Sequence, residues 1–143
     1  TGQGAFLDGE PIRVASTAAL EEAVFSVGLA YDTAGMRSTL ALALEVVPRC
    51  SCMRSLGSAA LALSYIACGR LDAYLHPGLC DWDAAAGALI LREAGGVITS
   101  LEGEQWRFGT RETLAASPGI HRELLHLLQA APRSNASVPW DEG

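Results

Sequence analysis

The sequence predicts a layered α/β fold, and three observations carry the prediction. Short apolar runs of strand length alternate along the chain with longer stretches whose apolar residues recur at helical spacing. Glycine, proline or aspartate punctuates nearly every boundary between them. With 143 residues, 50% of them hydrophobic, the chain can bury the core of one α/β unit.

Taken in order, Gly4-Ala5-Phe6-Leu7, the turn Asp8-Gly9 and Pro11-Ile12-Arg13-Val14 predict a β-hairpin, since Asp-Gly supplies the positive φ that tight hairpin turns need. Two strands alone are marginal in water, so the hairpin is expected to belong to a sheet that lies partly outside this chain. Ser16 to Leu20 is a connection. Ala23 to Leu29 is apolar almost throughout and predicts a central strand covered on both faces. Thr33 to Val47 predicts a helix, with Met36, Leu40, Ala43, Leu44 and Val47 at helical spacing and Pro48 as its stop. Arg49 to Arg54 fits a strand. Gly57-Ser58 opens a second helix striped by Leu61, Tyr65 and Cys68, and Gly69 ends it. Leu71 to Leu75 is a strand, Asp83 to Ala94 a third helix, and Val97 to Leu101 a strand turning at Glu102-Gly103-Glu104. Thr113 to Ala116 fits a last strand. Gly119 to Gln129 is amphipathic, with Ile120, Leu124, Leu127 and Leu128 inward and both His121 and His126 expected to be partly exposed. The polar, acidic and proline-containing segment 132–143 is expected to be a disordered tail.

Asp83 falls at or just inside the start of the third helix, where orphan N–H groups and the helix dipole favour negative charge. An ordinary N-cap is one reading of such an aspartate, and Asp81 is a second candidate for the cap. The surrounding residues add to this. Trp82-Asp83-x-Ala85-Ala86-Gly87, then an apolar stretch, then Glu93-Ala94-Gly95-Gly96 resembles the second signature of the inositol monophosphatase family, Mg²⁺-dependent phosphatases that include fructose-1,6-bisphosphatase-like members. Arg54-Ser55-Leu56-Gly57-Ser58-Ala59-Ala60 and Ala67 to Tyr74 are similar to the segment preceding that signature, and the resemblance runs from Gly4 to about Gln129. It implies an α-β-α sugar phosphatase fold, a mixed sheet flanked by helices, of which this chain is the C-terminal portion. On that reading residues 1–20 end the first-domain sheet and residues 21–131 form the C-terminal α/β domain.

Phosphate monoester hydrolysis needs carboxylates that gather Mg²⁺ around the phosphate and an attacking water. The resemblance implies that Asp83 is one such metal ligand and also lies against substrate. It further implies that the backbone of Gly57, Ser58 and Ala59 lines the pocket for the polyol ring, although capping by Ser58 accounts equally well for the local sequence. His76 stands where many inositol-specific members have a glutamate that accepts from ring hydroxyls; imidazole offers one acceptor and one donor. That departure puts inositol 1-phosphate specificity in question, and a loop histidine without a ligand is the alternative. Arg54 reads as a structural or surface arginine. The family's first signature, with two aspartates, and its upstream glutamate have no counterpart here, so no catalytic residue is assigned and the chain is expected to be inactive alone.

The net charge of −6, with all ten basic residues arginine, leaves no basic stripe for nucleic acid or anionic lipid. No apolar run approaches a membrane span, and the chain reads as a cytoplasmic protein. Cys50, Cys52, Cys68 and Cys80 lack zinc-site spacing and read as buried free thiols, and Asn135-Ala136-Ser137 as a chance glycosylation pattern. The expected partners are a phosphorylated polyol or sugar, Mg²⁺ and, by resemblance, a second copy in a homodimer. Two other functions fit less of the sequence. One is a non-catalytic interaction or assembly module that keeps the fold; the other, a dinucleotide-binding half, lacks the glycine fingerprint after any strand.

Overall fold

The computed structural model describes residues 2–131. The expected tail and the Asn135-Ala136-Ser137 pattern lie outside them. The chain opens with the hairpin β1 (Ala5–Leu7) and β2 (Glu10–Ile12), antiparallel around Asp8 and Gly9, whose φ values of 52° and 87° give the two left-handed residues the turn requires. Among the described residues the hairpin forms a two-stranded sheet of its own.

The other strands, β3 (Val24–Val27), β4 (Cys52–Arg54), β5 (Ala73–His76), β6 (Val97–Thr99) and β7 (Thr113–Ala116), form one mixed sheet in the order β4-β3-β5-β7-β6. β4, β3 and β5 run parallel; β7 is antiparallel to both β5 and β6. Helices α1 (Thr33–Val46), α2 (Ala59–Ala67), α3 (Asp81–Glu93) and α4 (Pro118–Ala130) cover its two faces. One face packs Val24, Tyr74, Ile98 and Ala115 against Leu63, Ile66, Ala84 and Leu91 of α2 and α3. The other packs Phe25, Val27, Leu75 and Leu114 against Ala43, Val46, Ile120 and Leu124 of α1 and α4. This alternation within each strand is the period of two that a strand covered on both faces must show.

The hairpin lies across α3. Glu93 accepts from the backbone N–H of Gly2 at 2.6 Å and of Gly4 at 2.9 Å, and Val14 N–H bonds Ala94 O. Those backbone donors hold the Glu93 carboxyl below its ordinary value.

Three expectations need correction. The face of α1 that is buried carries Gly35, Thr39, Ala43 and Val46, while Met36, Leu40 and Leu44 are exposed. Both faces are apolar, so periodicity alone did not choose between them; Asp32, capping Gly35 N–H at 2.7 Å, sets the helix phase. His121 is buried, because its Nε2 reaches Thr99 Oγ1 at 2.8 Å across the α4–β6 packing. The four cysteines are free and half-buried. Burial, with Asp72 and Cys52 adding to it, pushes the Cys50 thiol up to about 11.

Candidate active site

The site residues meet at one edge of the sheet because of the crossovers. β4 and β5 are parallel, and each leads from its C-terminal end through a short loop into a helix on the same face: β4 into α2, β5 into α3. α2 and α3 then pack side by side. Gly87 permits this, since a Cβ there would lie 2.7 Å from Leu63 Cβ. Gly57, Ser58 and Ala59, His76 at the end of β5, and Asp83 in the first turn of α3 thus share the carboxyl edge of the parallel strands, the edge at which open α/β sheets bind ligands.

Ser58 is the N-cap of α2, and its Oγ accepts from Leu61 N–H at 3.2 Å. Capping therefore describes its side chain. Gly57 and Ser58 are exposed, and Gly57 has a φ of +69° with open space where a Cβ would be. Cys80, not Asp81, occupies the N-cap position of α3; Asp81 begins the helix and accepts from Gly109 N–H at 2.9 and 3.1 Å, tying α3 to the loop before β7. Arg54 bonds its neighbour's carbonyl, Met53 O, at 3.0 Å.

Asp83 is exposed, and its carboxylate takes no hydrogen bond from the described residues. It is near enough to Tyr74 and His76 to raise the pKa of each electrostatically, although burial is the larger influence on both; Tyr74 is pushed up and His76 down from its ordinary value. A free carboxylate in a helix first turn suits Mg²⁺, which is held by one or two carboxylates with waters and phosphate completing the shell. It would be a single ligand: among the described residues no three His, Cys, Asp or Glu side chains converge on a metal position.

Sequence reading missed two features here. Gly28, after β3, lies so close to the β5 side chains that a Cβ would fall 2.2 Å from His76 Cδ2 and 2.3 Å from Tyr74 Oη. Ser26 Oγ and Thr113 Oγ1 are fully buried without a hydrogen-bond partner among the described residues, on the face shared with Tyr74 and His76. Strand register alone reveals these neighbours.

Comparison with known proteins agrees with this architecture. The profile of the inositol monophosphatase family matches residues 1–133. The inositol-1-monophosphatase of Bacillus subtilis is 35% identical over 125 residues, covering 87% of this chain and 47% of that protein. The Nus factor SuhB of Pasteurella multocida is 36% identical, covering 90% of this chain and 48% of its own length. The inositol monophosphatase structure from Anabaena superposes with a TM-score of 0.86 at 34% identity, over 92% of this chain and 53% of that one. The chain spans about half the length of the curated relatives it matches. No helix among the described residues is long and apolar enough to cross a membrane. With a matching profile along nearly its whole length and the same fold, the chain belongs to the inositol monophosphatase family.

Proposed function

We propose that this chain is the C-terminal part of a Mg²⁺-dependent phosphatase acting on the phosphate monoester of a polyol or sugar. The observation that carries the reading is Asp83, a carboxylate that takes no hydrogen bond from the described residues, at the sheet edge that also holds His76 and the open start of α2. Mg²⁺, when bound, would screen the phosphate charge and activate a water for attack on phosphorus. Asp83 would contribute one oxygen ligand to the ion. The Gly57–Ala59 backbone, with N–H groups at the start of α2, and His76 orient the polyol. The second carboxylate set comes from the other half of a relative-length polypeptide, which leaves the chain alone without turnover. An interior compartment such as the cytoplasm and a homodimeric assembly remain part of this proposal.

The test is phosphate release in Mg²⁺ from inositol 1-phosphate and fructose 1,6-bisphosphate, by this chain and by a polypeptide extended upstream to the length of its relatives. Release by the extended form alone supports the reading. Release by this chain would show that Asp83 finds its partner ligands within these residues, and silence from both would remove the phosphatase assignment.

A further inference from the structure

Helix α3 begins without a side-chain cap. Cys80 occupies its N-cap position and makes no side-chain hydrogen bond to the helix, so the first turn, which carries Asp83, is not held in the usual way. The loop before β7 holds it instead. Arg107 O accepts from Thr110 N–H at 3.0 Å and closes a β-turn whose third residue, Gly109, has the positive φ of +90° that such a turn takes from glycine. The Gly109 N–H that this turn presents lies 2.9 and 3.1 Å from the two carboxylate oxygens of Asp81. The flanks are tied as well. Leu79 N–H donates to Arg111 O at 2.8 Å, and Arg111 Nη1 lies 3.8 Å from Cys80 Sγ. Asp83 N–H in turn donates to Cys80 O at 3.1 Å, so Asp83 hangs from the residues that the loop grips.

We propose that Asp81 is a positioning residue: its hold on the Gly109 amide fixes the first turn of α3, and through that turn the place from which Asp83 meets a divalent cation. The metal half of the proposal rests on the phosphatase reading; the tie to the loop does not. Residues two apart on a helix lie about 200° apart around its axis, so Asp81 and Asp83 face different sides and do not grip one ion together. Asp81 could act instead by its charge alone, attracting the cation from a distance. Side-chain chemistry separates the two accounts. Asparagine keeps an acceptor oxygen for the Gly109 N–H without the charge, whereas alanine has neither. A role through charge is lost equally in both variants, and a role through the tie is lost only in alanine.

The first measurement is amide hydrogen exchange in this chain, read by NMR. Asp81→Ala should speed exchange of the Gly109 and Asp83 amides by about tenfold or more while the β5–β7 ladder keeps its rates, and unchanged rates at Gly109 and Asp83 would overturn the tie whatever the enzyme does. The second is the Mg²⁺ concentration that gives half-maximal phosphate release by the upstream-extended enzyme, with kcat taken at saturating Mg²⁺. Asp81→Ala should raise the Mg²⁺ requirement by about tenfold and leave kcat within a few-fold, and Asp81→Asn should restore most of the lost affinity. A requirement unmoved in alanine, or raised equally in asparagine and alanine, overturns the positioning role. If Asp81→Ala melts too low to assay, Gly109→Ala tests the tie from the loop side: nothing lies within 4 Å of the added Cβ, but an L side chain at this φ is strained. It too should raise the Mg²⁺ requirement, and an unchanged value counts against the proposal. If the extended enzyme in its unaltered form hydrolyses neither inositol 1-phosphate nor fructose 1,6-bisphosphate, the phosphatase reading falls and takes the metal half with it, while the exchange result judges the tie separately.

Discussion

Asp83 and His121 show how differently single residues disclose themselves. The position of Asp83 is legible because it is local: an aspartate beside a tryptophan in the first turn of a helix. Asp83→Asn keeps the size and the helix start while removing the charge that a divalent ion requires, so in the upstream-extended enzyme kcat should fall by about a hundredfold or more, with folding unchanged by circular dichroism. His121 was misplaced because its partner, Thr99, is distant in sequence. Thr99 Oγ1 donates to Ser100 O at 2.7 Å, so toward His121 it must accept, and the ring holds its hydrogen on Nε2. Burial lowers the His121 pKa. The unfolded chain therefore binds a proton more readily than the folded one. The stability is full above about pH 6.5, the ordinary histidine value, and declines as pH falls from there toward the lower folded value. His121→Gln keeps an N–H for Thr99 and cannot titrate, so its melting temperature should fall less steeply between neutral and mildly acidic pH than that of the unaltered chain.

Among the elements, those whose signals are local match the structure within a few residues. The Asp8-Gly9 hairpin, the apolar run of β3, the Ser58 cap and the Gly95-Gly96 stop after α3 each depend on neighbours in sequence. What periodicity could not decide was the side of an element that faces inward when both sides are apolar, as in α1. Nor could it show how closely two helices approach. The α2–α3 contact rests on Gly87, where a Cβ would meet Leu63 Cβ at 2.7 Å and Cδ1 at 2.8 Å. Gly87→Ala gains helix propensity of about 1 kcal/mol, but overpacking of this kind costs about 1–3 kcal/mol. Because the clash includes Leu63 Cβ, which no rotamer change can move, the overpacking should win. A lower midpoint in urea with an unchanged slope is the expected result, and an increased midpoint would show that the helices separate at little cost.

For the whole molecule, the sequence disclosed the fold and the place of Asp83 at a helix start but not which surfaces packing leaves open. Apolar side chains remain outside on two helices: Met36, Leu40 and Leu44 along α1, and Trp82, Leu89 and Ile90 along α3, where Phe6 of the hairpin joins them. Their exposure has a physical reason in each case. The sheet is already covered on both faces, so the outer sides of its helices have nothing left among the described residues to pack against. Contiguous apolar patches of this kind mark surfaces that are covered in the working assembly. A chain that spans about half the length of its relatives can have such a surface facing either its other half or a second copy. Leu44 is 72% exposed on α1, so Leu44→Glu removes apolar surface there without opening a cavity. If α1 mediates self-association, light scattering should show the unaltered chain heavier than its 15.0 kDa monomer at high concentration, and Leu44→Glu closer to it at an equal melting temperature. If both forms associate alike, the α1 surface is not responsible, and the apolar side of α3, with Trp82 83% exposed beside Asp83, becomes the contact to alter next.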